Sequence, residues 1–122
     1  MYYHAHIYWQ NELQRSEALK LRPQLSDLGC SLGTVWDKQI GPHPLSMYQV
    51  NYNSDIAEKV EALLFTTKLD ILLHEDTGDD LRDHTEGARW IGHKLTLDLE
   101  WLKNYVKESN NVYRQLLRRM DF

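Results

Sequence analysis

The chain has 122 residues and a formal net charge of −4 at pH 7. This is the length of one compact domain, and the charge gives no electrostatic reason to expect nucleic acid or an anionic membrane as a partner. The single cysteine, Cys30, excludes an internal disulfide, and no window holds the roughly 20 consecutive apolar residues of a membrane helix. Since the N-terminus also lacks a signal-peptide pattern, we expect a cytoplasmic protein.

Residues 2–9 are rich in aromatic and β-branched side chains, which predicts a strand. Side chains alternate along a strand, so two faces are expected. The core face consists of the apolar or aromatic residues Tyr3, Ala5, Ile7 and Trp9. The opposite face, which we expect to be functional or to form an interface, consists of Tyr2, His4, His6 and Tyr8.

Residues 16–28 carry apolar side chains at a spacing of three or four, which predicts an amphipathic helix. Ser16 would cap its start and Gly29 would end it. Pro23 predicts a kink or two short helical pieces, because proline inside a helix costs about 3 kcal/mol.

Two further strands are predicted over residues 32–37 and 46–53, joined by a loop with the sequence Gly41-Pro42-His43-Pro44. Each proline fixes its own φ and restricts the residue before it, so the loop that carries His43 should be stiff. In the second of these strands, Tyr48 would lie on one face and Gln49 on the other.

A second helix is predicted over residues 55–66, with Ser54 as its cap, and a fourth strand over residues 69–74. The helix would turn inward its apolar residues Ile56, Val60, Leu63 and Leu64. At the end of the fourth strand, His74 would face away from Leu73.

The remaining sequence predicts mostly helices. Thr77-Gly78-Asp79-Asp80 is similar to a capping box, so a short helix over about 80–90 would carry His84. The alternation of Leu95, Leu97 and Leu99 suits an extra edge strand. A long helix is predicted over roughly 99–119, and its apolar stripe consists of Leu102, Val106, Tyr113, Leu116 and Leu117.

The order strand–helix–strand–strand–helix–strand predicts an α+β, ferredoxin-like fold, in which a βαββαβ antiparallel sheet carries its helices on one face. Strands 3 and 4 would flank strand 1, and the helical tail or a partner subunit would cover part of the other face. We expect a single domain over 1–122, with a core at 1–99 and a C-terminal helical extension at 100–122.

This topology would bring several histidines to the helix-free face. His4 and His6 on the central strand and His74 on its neighbour form a predicted metal triangle with open positions, and Gln49 would join from the other side. Two histidines and one carboxylate would make the facial triad of non-haem Fe(II) oxygenases. The candidate carboxylates, among which the spacing does not choose, are Asp79, Asp80 and Asp83.

Structural roles compete with these functional ones. A His-x-His pair in a strand is more often structural or exposed than metal-bound. His43 would be either a rigid loop residue or an acid–base group, and His84 either a salt-bridged helix residue or a participant in catalysis; His93 is predicted at the surface. Aromatic residues that would line a pocket for a flat substrate, or simply pack, are Tyr8, Trp36 and Tyr48.

Six motifs follow one another along residues 2–99: His4-Ala5-His6-Ile7-Tyr8, Gly41-Pro42-His43-Pro44, Leu72-Leu73-His74, Thr77-Gly78-Asp79-Asp80, Asp83-His84-Thr85 and Trp90-Ile91-Gly92. Together they resemble the DOPA 4,5-dioxygenase family, whose histidines they match. Glu75-Asp76 departs from the Pro-Asn that often follows this histidine in the family, which would alter the local charge or the metal preference.

The resemblance implies a ferredoxin-like homodimer in which a non-haem metal supports extradiol cleavage of a catechol ring. Fe(II) is the expected metal, with Zn or another divalent ion as an alternative, and DOPA or a related catechol and dioxygen are the expected substrates. The predicted metal ligands are His4, His6 and His74. The predicted catalytic proton-transfer residues are His43 and His84. The predicted substrate-binding residues are Tyr8, Gln49 and Tyr48.

Two other functions stay open at this point. One is a metal-binding or small-ligand-binding ferredoxin-like dimer module without oxygenase activity, since no carboxylate ligand is unambiguous. The other is a purely structural dimerisation domain in which the histidines pack or form hydrogen bonds.

Overall fold

The computed structural model describes residues 1–108. They form a five-stranded sheet and four helices. The strands are β1 (Tyr2–Trp9), β2 (Ser31–Leu32), β3 (Ser46–Asn53), β4 (Ile71–Glu75) and β5 (Arg89–Ile91). The helices are α1 (Glu12–Asp27), α2 (Ala57–Phe65), α3 (Asp80–Asp83) and α4 (Leu99–Lys107).

The strand order is β2-β3-β1-β4-β5, and each neighbouring pair is antiparallel. The predicted α+β class, the antiparallel sheet and the position of β1 between β3 and β4 are therefore confirmed. The fifth strand lies at the edge of the sheet, as an addition to the βαββαβ pattern. Its predicted position at Leu95–Leu99 is wrong, because β5 forms earlier and Leu95 and Leu97 pack against the sheet instead.

Helix α1 is longer than predicted. The side chain of Asn11 accepts a hydrogen bond from the backbone N–H of Gln14 at 2.9 Å and so caps the helix, which makes the expected cap at Ser16 wrong. Pro23 lies within one unbroken helix, so of the two expected alternatives, a kink or two short pieces, the second is wrong. Buried Leu21 and Leu25 anchor the helix on both sides of the proline.

Gly29 ends α1 as predicted. Its φ of +102° places it in the left-handed region. Its N–H donates to the carbonyl of Ser26, and the N–H of Cys30 donates to the carbonyl of Leu25, which is the hydrogen-bond pattern of a Schellman motif.

Three other predicted elements are shorter in the structure. The strand over 32–37 is reduced to β2 and one isolated bridge between Trp36 and Met47. Helix α2 begins after Ile56 and has no side-chain cap, so the expected cap at Ser54 is wrong. The helix predicted over 80–90 ends at Asp83, where a turn that leads to Gly87 replaces it.

The C-terminal helix is confirmed over Leu99–Lys107, with Leu102 buried and Val106 half-buried. The other predicted members of its apolar stripe, Tyr113, Leu116 and Leu117, lie outside the described residues. No helix within residues 1–108 is long and apolar enough to cross a membrane.

The two faces of the sheet carry different packing. The helix-side face buries the main core, whose sheet residues include Ala5, Ile7, Tyr48, Val50 and Leu73 beneath α1 and α2. The helix-free face carries a smaller cluster of Tyr8, Met47 and Leu72. Residues of this chain also pack against that cluster, so the chain itself supplies part of the cover that we expected from the tail or a partner. They are Trp36, Ile40, Leu45, Ala88, Trp90, Leu95 and Leu97.

Candidate metal centre

Five histidines from four parts of the chain converge beside the smaller cluster. Strand β1 supplies two of them and β4 supplies a third, and the pairing register sets His74 directly opposite His4. The Gly41-Pro42-His43-Pro44 loop and the C-terminal end of α3 supply the others. They are His4, His6, His43, His74 and His84; ring centroids of neighbouring pairs lie 4.2–6.3 Å apart.

Backbone carbonyls orient two of these rings. His74 Nδ1 lies 2.7 Å from the carbonyl oxygen of Glu75, and His84 Nδ1 lies 2.7 Å from that of Asp80. A carbonyl oxygen only accepts hydrogen bonds, so each Nδ1 carries the proton and each Nε2 presents a lone pair. Metal-binding histidines are commonly held in this way, because the second hydrogen bond fixes both the tautomer and the ring orientation.

The histidines form two overlapping groups in which the potential ligand atoms lie within 4.8 Å of one another. The outer group is His4, His6 and His74, and the inner group is His6, His43 and His84. In the outer group, His6 Nε2 and His74 Nε2 are 3.0 Å apart. Two nitrogens bound to one ion at about 2.0–2.1 Å would be separated by roughly 2.9–3.4 Å, so this spacing fits shared coordination.

Two buried nitrogens in the cluster have no hydrogen-bond partner within residues 1–108: His6 Nδ1 and His43 Nε2. His43 uses its other nitrogen, since Tyr8 Oη lies 2.7 Å from His43 Nδ1. Buried polar atoms without partners are costly, by about 1–3 kcal/mol each. The two groups of neighbouring histidine nitrogens are donors that fit a divalent metal ion.

Burial favours the neutral form of four of the five histidines. Burial lowers the pKa of His6 and His74 well below 6.5, and the neighbouring histidines lower them further. Burial also lowers the pKa of His43 to about 3, with a smaller contribution from His84. Burial lowers the pKa of His84 too, but there the Asp80 carbonyl and the carboxylates of Asp80, Asp83 and Asp76 oppose the effect. Neutral imidazole is the form that binds metal.

Of the three predicted substrate-binding residues, Gln49 and Tyr8 lie near the histidines and Tyr48 does not. Gln49 is buried opposite His6 in the β1–β3 pairing, and its amide donates to Asn51. Tyr8 lies beside His43. Tyr48 does not join the site: its side chain is in the helix-side core, and its hydroxyl donates to the carbonyl of Ala18.

None of the three candidate carboxylates belongs to either histidine group among the described residues. Asp79 caps α3 by accepting from the N–H of Arg82, and buried Asp83 accepts from the N–H and the hydroxyl of Thr77. Another carboxylate, which sequence reasoning did not consider as a ligand, belongs to Asp76: its Oδ2 is 3.6 Å from His4 Nε2, but it too lies outside both histidine groups. Its position two residues after His74 was the available signal.

The sequence also made predictions for His93 and Trp36, which belong to neither histidine group. His93 is at the surface, as expected, with its side chain 91% exposed and paired with Asp70. Trp36 packs over the cluster of Tyr8, Met47 and Leu72, rather than beside the histidine nitrogens.

A groove of about 620 Å³ adjoins His84. Its apolar lining includes Trp90, Leu95 and Leu97, and its charged lining residues are Glu86 and Lys94. The ring of Trp90 stacks on that of Tyr8 with centroids 6.2 Å apart, so the groove is continuous in packing with the histidine cluster. Its volume and lining suit a small, partly apolar molecule.

Fold and site together define a small α+β protein with a histidine-rich candidate metal centre on the open face of its sheet. The model of the Dopa 4,5-dioxygenase family matches residues 3–101, and the chain belongs to this family.

Similar proteins agree with this assignment. A DOPA 4,5-dioxygenase of Amanita muscaria is 32% identical over 108 residues, which is 80% of this chain and 47% of that protein. An uncharacterized 21.2 kDa protein of Botryotinia fuckeliana is 35% identical over 84 residues, 61% of this chain and 46% of that protein. The chain thus spans about half the length of these curated relatives.

A solved structure is also similar. The crystal structure of a Nostoc punctiforme protein named "putative dioxygenase" superimposes with a TM-score of 0.80 at 38% identity. The match covers 84% of this chain and 91% of that one.

Proposed function

We propose that the protein is a non-haem, metal-dependent extradiol dioxygenase that cleaves the ring of DOPA or a related catechol. The observation that carries the proposal is the convergence of five histidines on the open sheet face of a chain in this family. The ferredoxin-like description of the fold belongs to the same proposal, with β5 as an addition to that pattern.

The proposed metal ligands are the outer group, His4, His6 and His74, and Fe(II) is the proposed metal, with Zn or another divalent ion as the alternative. His74 supports this role because its Nδ1–H is held by a carbonyl and its Nε2 faces His6 Nε2. When bound, the metal would supply a Lewis-acidic template for the catechol and dioxygen.

His84 is the proposed proton acceptor for the catechol hydroxyl. Its Nδ1–H is held by the carbonyl of Asp80, which leaves the Nε2 lone pair free to accept. Nearby carboxylates favour its protonated form and so oppose the effect of burial, whereas His43 has no such support. A catalytic base that works near neutral pH needs a pKa close to that pH, so carboxylates that oppose the lowering of the His84 pKa by burial suit this role.

His43 is the proposed second catalytic residue. It pairs with Tyr8, and burial raises the pKa of the Tyr8 hydroxyl, so Tyr8 keeps its proton at neutral pH. The prolines on either side restrict the loop, and the N–H of Asp98 donates to the carbonyl of Pro42 at 2.8 Å. These contacts hold the His43 imidazole in place, where it would orient a catechol oxygen through Nε2.

The proposed substrate site is the groove next to His84. Its apolar walls would hold the aromatic ring, Tyr8 and Gln49 would lie at its inner end, and Lys94 would attract the carboxylate of an amino acid such as DOPA. Water would be largely excluded from three of the five histidines, because His6, His43 and His74 are already buried by the described chain.

The test is oxygen uptake by anaerobically purified, Fe(II)-loaded protein given L-DOPA or simpler catechols, with detection of a yellow ring-opened product. We expect uptake and colour in equal amounts, and we expect His6→Ala to abolish both. His93→Ala, which removes an exposed histidine, is the matched control and should retain activity. Bound metal without oxygen uptake over the whole catechol series would contradict the proposal and favour a metal-binding or ligand-binding module.

We also propose a homodimer, as the family resemblance implies. Sedimentation of the metal-loaded protein tests it directly, and a single species of about 14.5 kDa would contradict it. The cytoplasmic location stays a prediction.

A further inference from the structure

The segment between β5 and α4 forms one wall of the groove beside His84. Residues 92–98, the groove segment, contain neither helix nor strand. Within this segment, the groove is lined by Lys94, Leu95, Thr96 and Leu97. Leu95 and Leu97 also pack against the smaller cluster on the open face of the sheet. The shape of the groove therefore depends on the contacts that hold this segment in place.

Asp70, which immediately precedes β4, holds the start of the groove segment. Its Oδ1 accepts a hydrogen bond from the backbone N–H of His93 at 2.7 Å. The Asp70 side chain is only 12% exposed, whereas the His93 ring, whose Nδ1 lies 3.1 Å from the same oxygen, is 91% exposed. Because water screens the contact with the exposed ring, the shorter bond to the backbone is the main tie.

The main chain of Asp70 is fixed to the central strand. Its carbonyl oxygen accepts a hydrogen bond from the N–H of Tyr8 at 3.1 Å. The hydroxyl of Tyr8 in turn lies 2.7 Å from His43 Nδ1. Asp70 therefore connects the strand that carries the histidine site to the groove segment, with its backbone on one side and its side chain on the other.

Gly92 allows the groove segment to approach Asp70 closely. Its φ is +76°, in the left-handed region that favours glycine. An added Cβ would lie 2.5 Å from Asp70 Oδ1 and 2.9 Å from the carbonyl oxygen of Leu69. A side chain at this position would thus push the segment away from Asp70, which gives a role to the glycine of the Trp90-Ile91-Gly92 motif.

The other end of the groove segment is tied to the loop that carries His43. The backbone N–H of Asp98 donates to the carbonyl of Pro42 at 2.8 Å. The Asp98 side chain caps α4 by accepting from the N–H of Trp101 at 3.0 Å. Of the ties at the two ends, the one to Asp70 is made by a side chain and can be removed by substitution.

We propose that Asp70 is a positioning residue for substrate binding: by holding the backbone of His93, it keeps residues 94–97 in place as a wall of the groove. This inference rests on the proposed function, since the groove is the proposed substrate site. Asp70 lines neither the groove nor the two histidine groups. Its loss should therefore raise KM and leave kcat and metal affinity nearly unchanged.

Limited proteolysis and steady-state kinetics of the Fe(II)-loaded protein test the inference. Trypsin cuts after Lys94 when the groove segment opens, and after Lys59 in α2 when that helix unfolds. The ratio of the two cleavage rates therefore separates local opening from general destabilisation, and it does not depend on catalysis.

Four variants are compared with the wild type. Asp70→Ala removes the tie, and Gly92→Ala disturbs it from the side of the segment. Asp70→Asn is the conservative replacement, because its amide oxygen can still accept from the N–H of His93. His93→Ala is the matched control, since it removes the ring and keeps the backbone N–H.

We expect Asp70→Ala to increase cleavage after Lys94, relative to Lys59, by at least about 10-fold, a factor that corresponds to about 1.4 kcal/mol. KM for L-DOPA should rise by at least about 5-fold, with kcat and the Kd for Fe(II) within about 2-fold of wild type. Gly92→Ala should act in the same direction. Asp70→Asn should recover most of the wild-type behaviour, and His93→Ala should match the wild type.

The results that would overturn the inference are distinct from those that would remove the proposed function. Wild-type cleavage after Lys94 in both Asp70→Ala and Gly92→Ala would overturn it, as would faster cleavage with an unchanged KM. An equal increase after Lys59 and Lys94 would show that Asp70 supports the whole fold and not the groove. Absence of L-DOPA turnover in the wild type would instead remove the proposed function, and the substrate role of Asp70 with it.

Discussion

The two faces of the central sheet are built from the same strands but carry opposite chemistry. On the helix side, β1 and β4 bury aliphatic residues such as Ile7 and Leu73 among the side chains of α1 and α2. On the open side, the adjacent positions in the same strands are His6 and His74. His6 Nδ1 has no hydrogen-bond partner among the described residues, and His74 Nε2 presents a lone pair. Neighbouring residues in a strand point to opposite faces. One residue therefore packs in the core that stabilises the fold, while the next faces the candidate metal site.

The strongest test of this division is His74→Ala. The variant loses a proposed ligand whose Nε2 lies 3.0 Å from His6 Nε2. We expect the metal Kd to rise by at least about 100-fold and oxygen uptake to vanish, while the metal-free protein stays folded. Equilibrium metal titration with oxygen electrode assays measures both. Retained metal affinity and turnover would remove His74 from the site.

The neighbouring residue should show the reverse behaviour. Leu73 is 1% exposed in the helix-side core, so Leu73→Ala should lower the free energy of unfolding by about 2–5 kcal/mol through lost burial and a residual cavity. Metal affinity at a temperature where the variant is folded should change little. Urea denaturation of the metal-free protein gives the first quantity. A large loss of metal affinity in the folded variant would mean that the two faces are coupled.

Acid should destabilise the open face selectively. Burial lowers the pKa of His6, His43, His74 and His84 in the folded state, whereas in the unfolded chain they titrate near 6.5. The unfolded state thus binds more protons, and stability that is complete above about pH 6.5 is lost as pH falls towards the folded-state values, about 3 for His43.

Urea unfolding of the metal-free protein between pH 7.5 and pH 4.5 measures this loss. Each such histidine contributes a slope of up to about 1.4 kcal/mol per pH unit. His43→Gln removes one of these titrating groups, so it should reduce the slope by up to about 1.4 kcal/mol per pH unit. A flat profile in the wild type would contradict the neutral, buried cluster.

Tyr8→Phe tests the contact between Tyr8 and His43 on the open face. The change removes the hydroxyl that lies 2.7 Å from His43 Nδ1, which should cost about 1–3 kcal/mol of stability by leaving that buried nitrogen unpaired. We expect kcat to fall by roughly 10-fold and metal affinity to change little, because His43 loses its fixed orientation. Tyr48→Phe is the control on the helix side, since it loses a bond to Ala18 and should affect stability only.

The smallest expected effect concerns the groove. Lys94→Met should raise KM for L-DOPA by about 2–5-fold and leave kcat nearly unchanged, as expected for an exposed ion pair worth up to about 1 kcal/mol. The KM for 4-methylcatechol, which lacks a carboxylate, should not change. An equal rise for both substrates would show that Lys94 affects the groove in general rather than the carboxylate.

Some of these features follow from local pattern alone. The alternation in residues 2–9 predicted which side chains of β1 face the core, and Gly29 predicted the end of α1 because the left-handed conformation there suits glycine. The order of elements placed β1 between β3 and β4. Other local signals misled: Ser16 and Ser54 are plausible caps, but Asn11 caps α1 and α2 has no side-chain cap.

The sequence by itself therefore determined the family, the central strands and the histidines worth examining, because these depend on residue type and short-range periodicity. Only the tertiary structure decided which groups meet. It set His43 and His84 against His6, moved Tyr48 into the core, and brought Asp76 Oδ2 to 3.6 Å from His4 Nε2. The physical reason is that strand pairing and loop packing fix distances between residues far apart in the chain, and no local spacing encodes those distances.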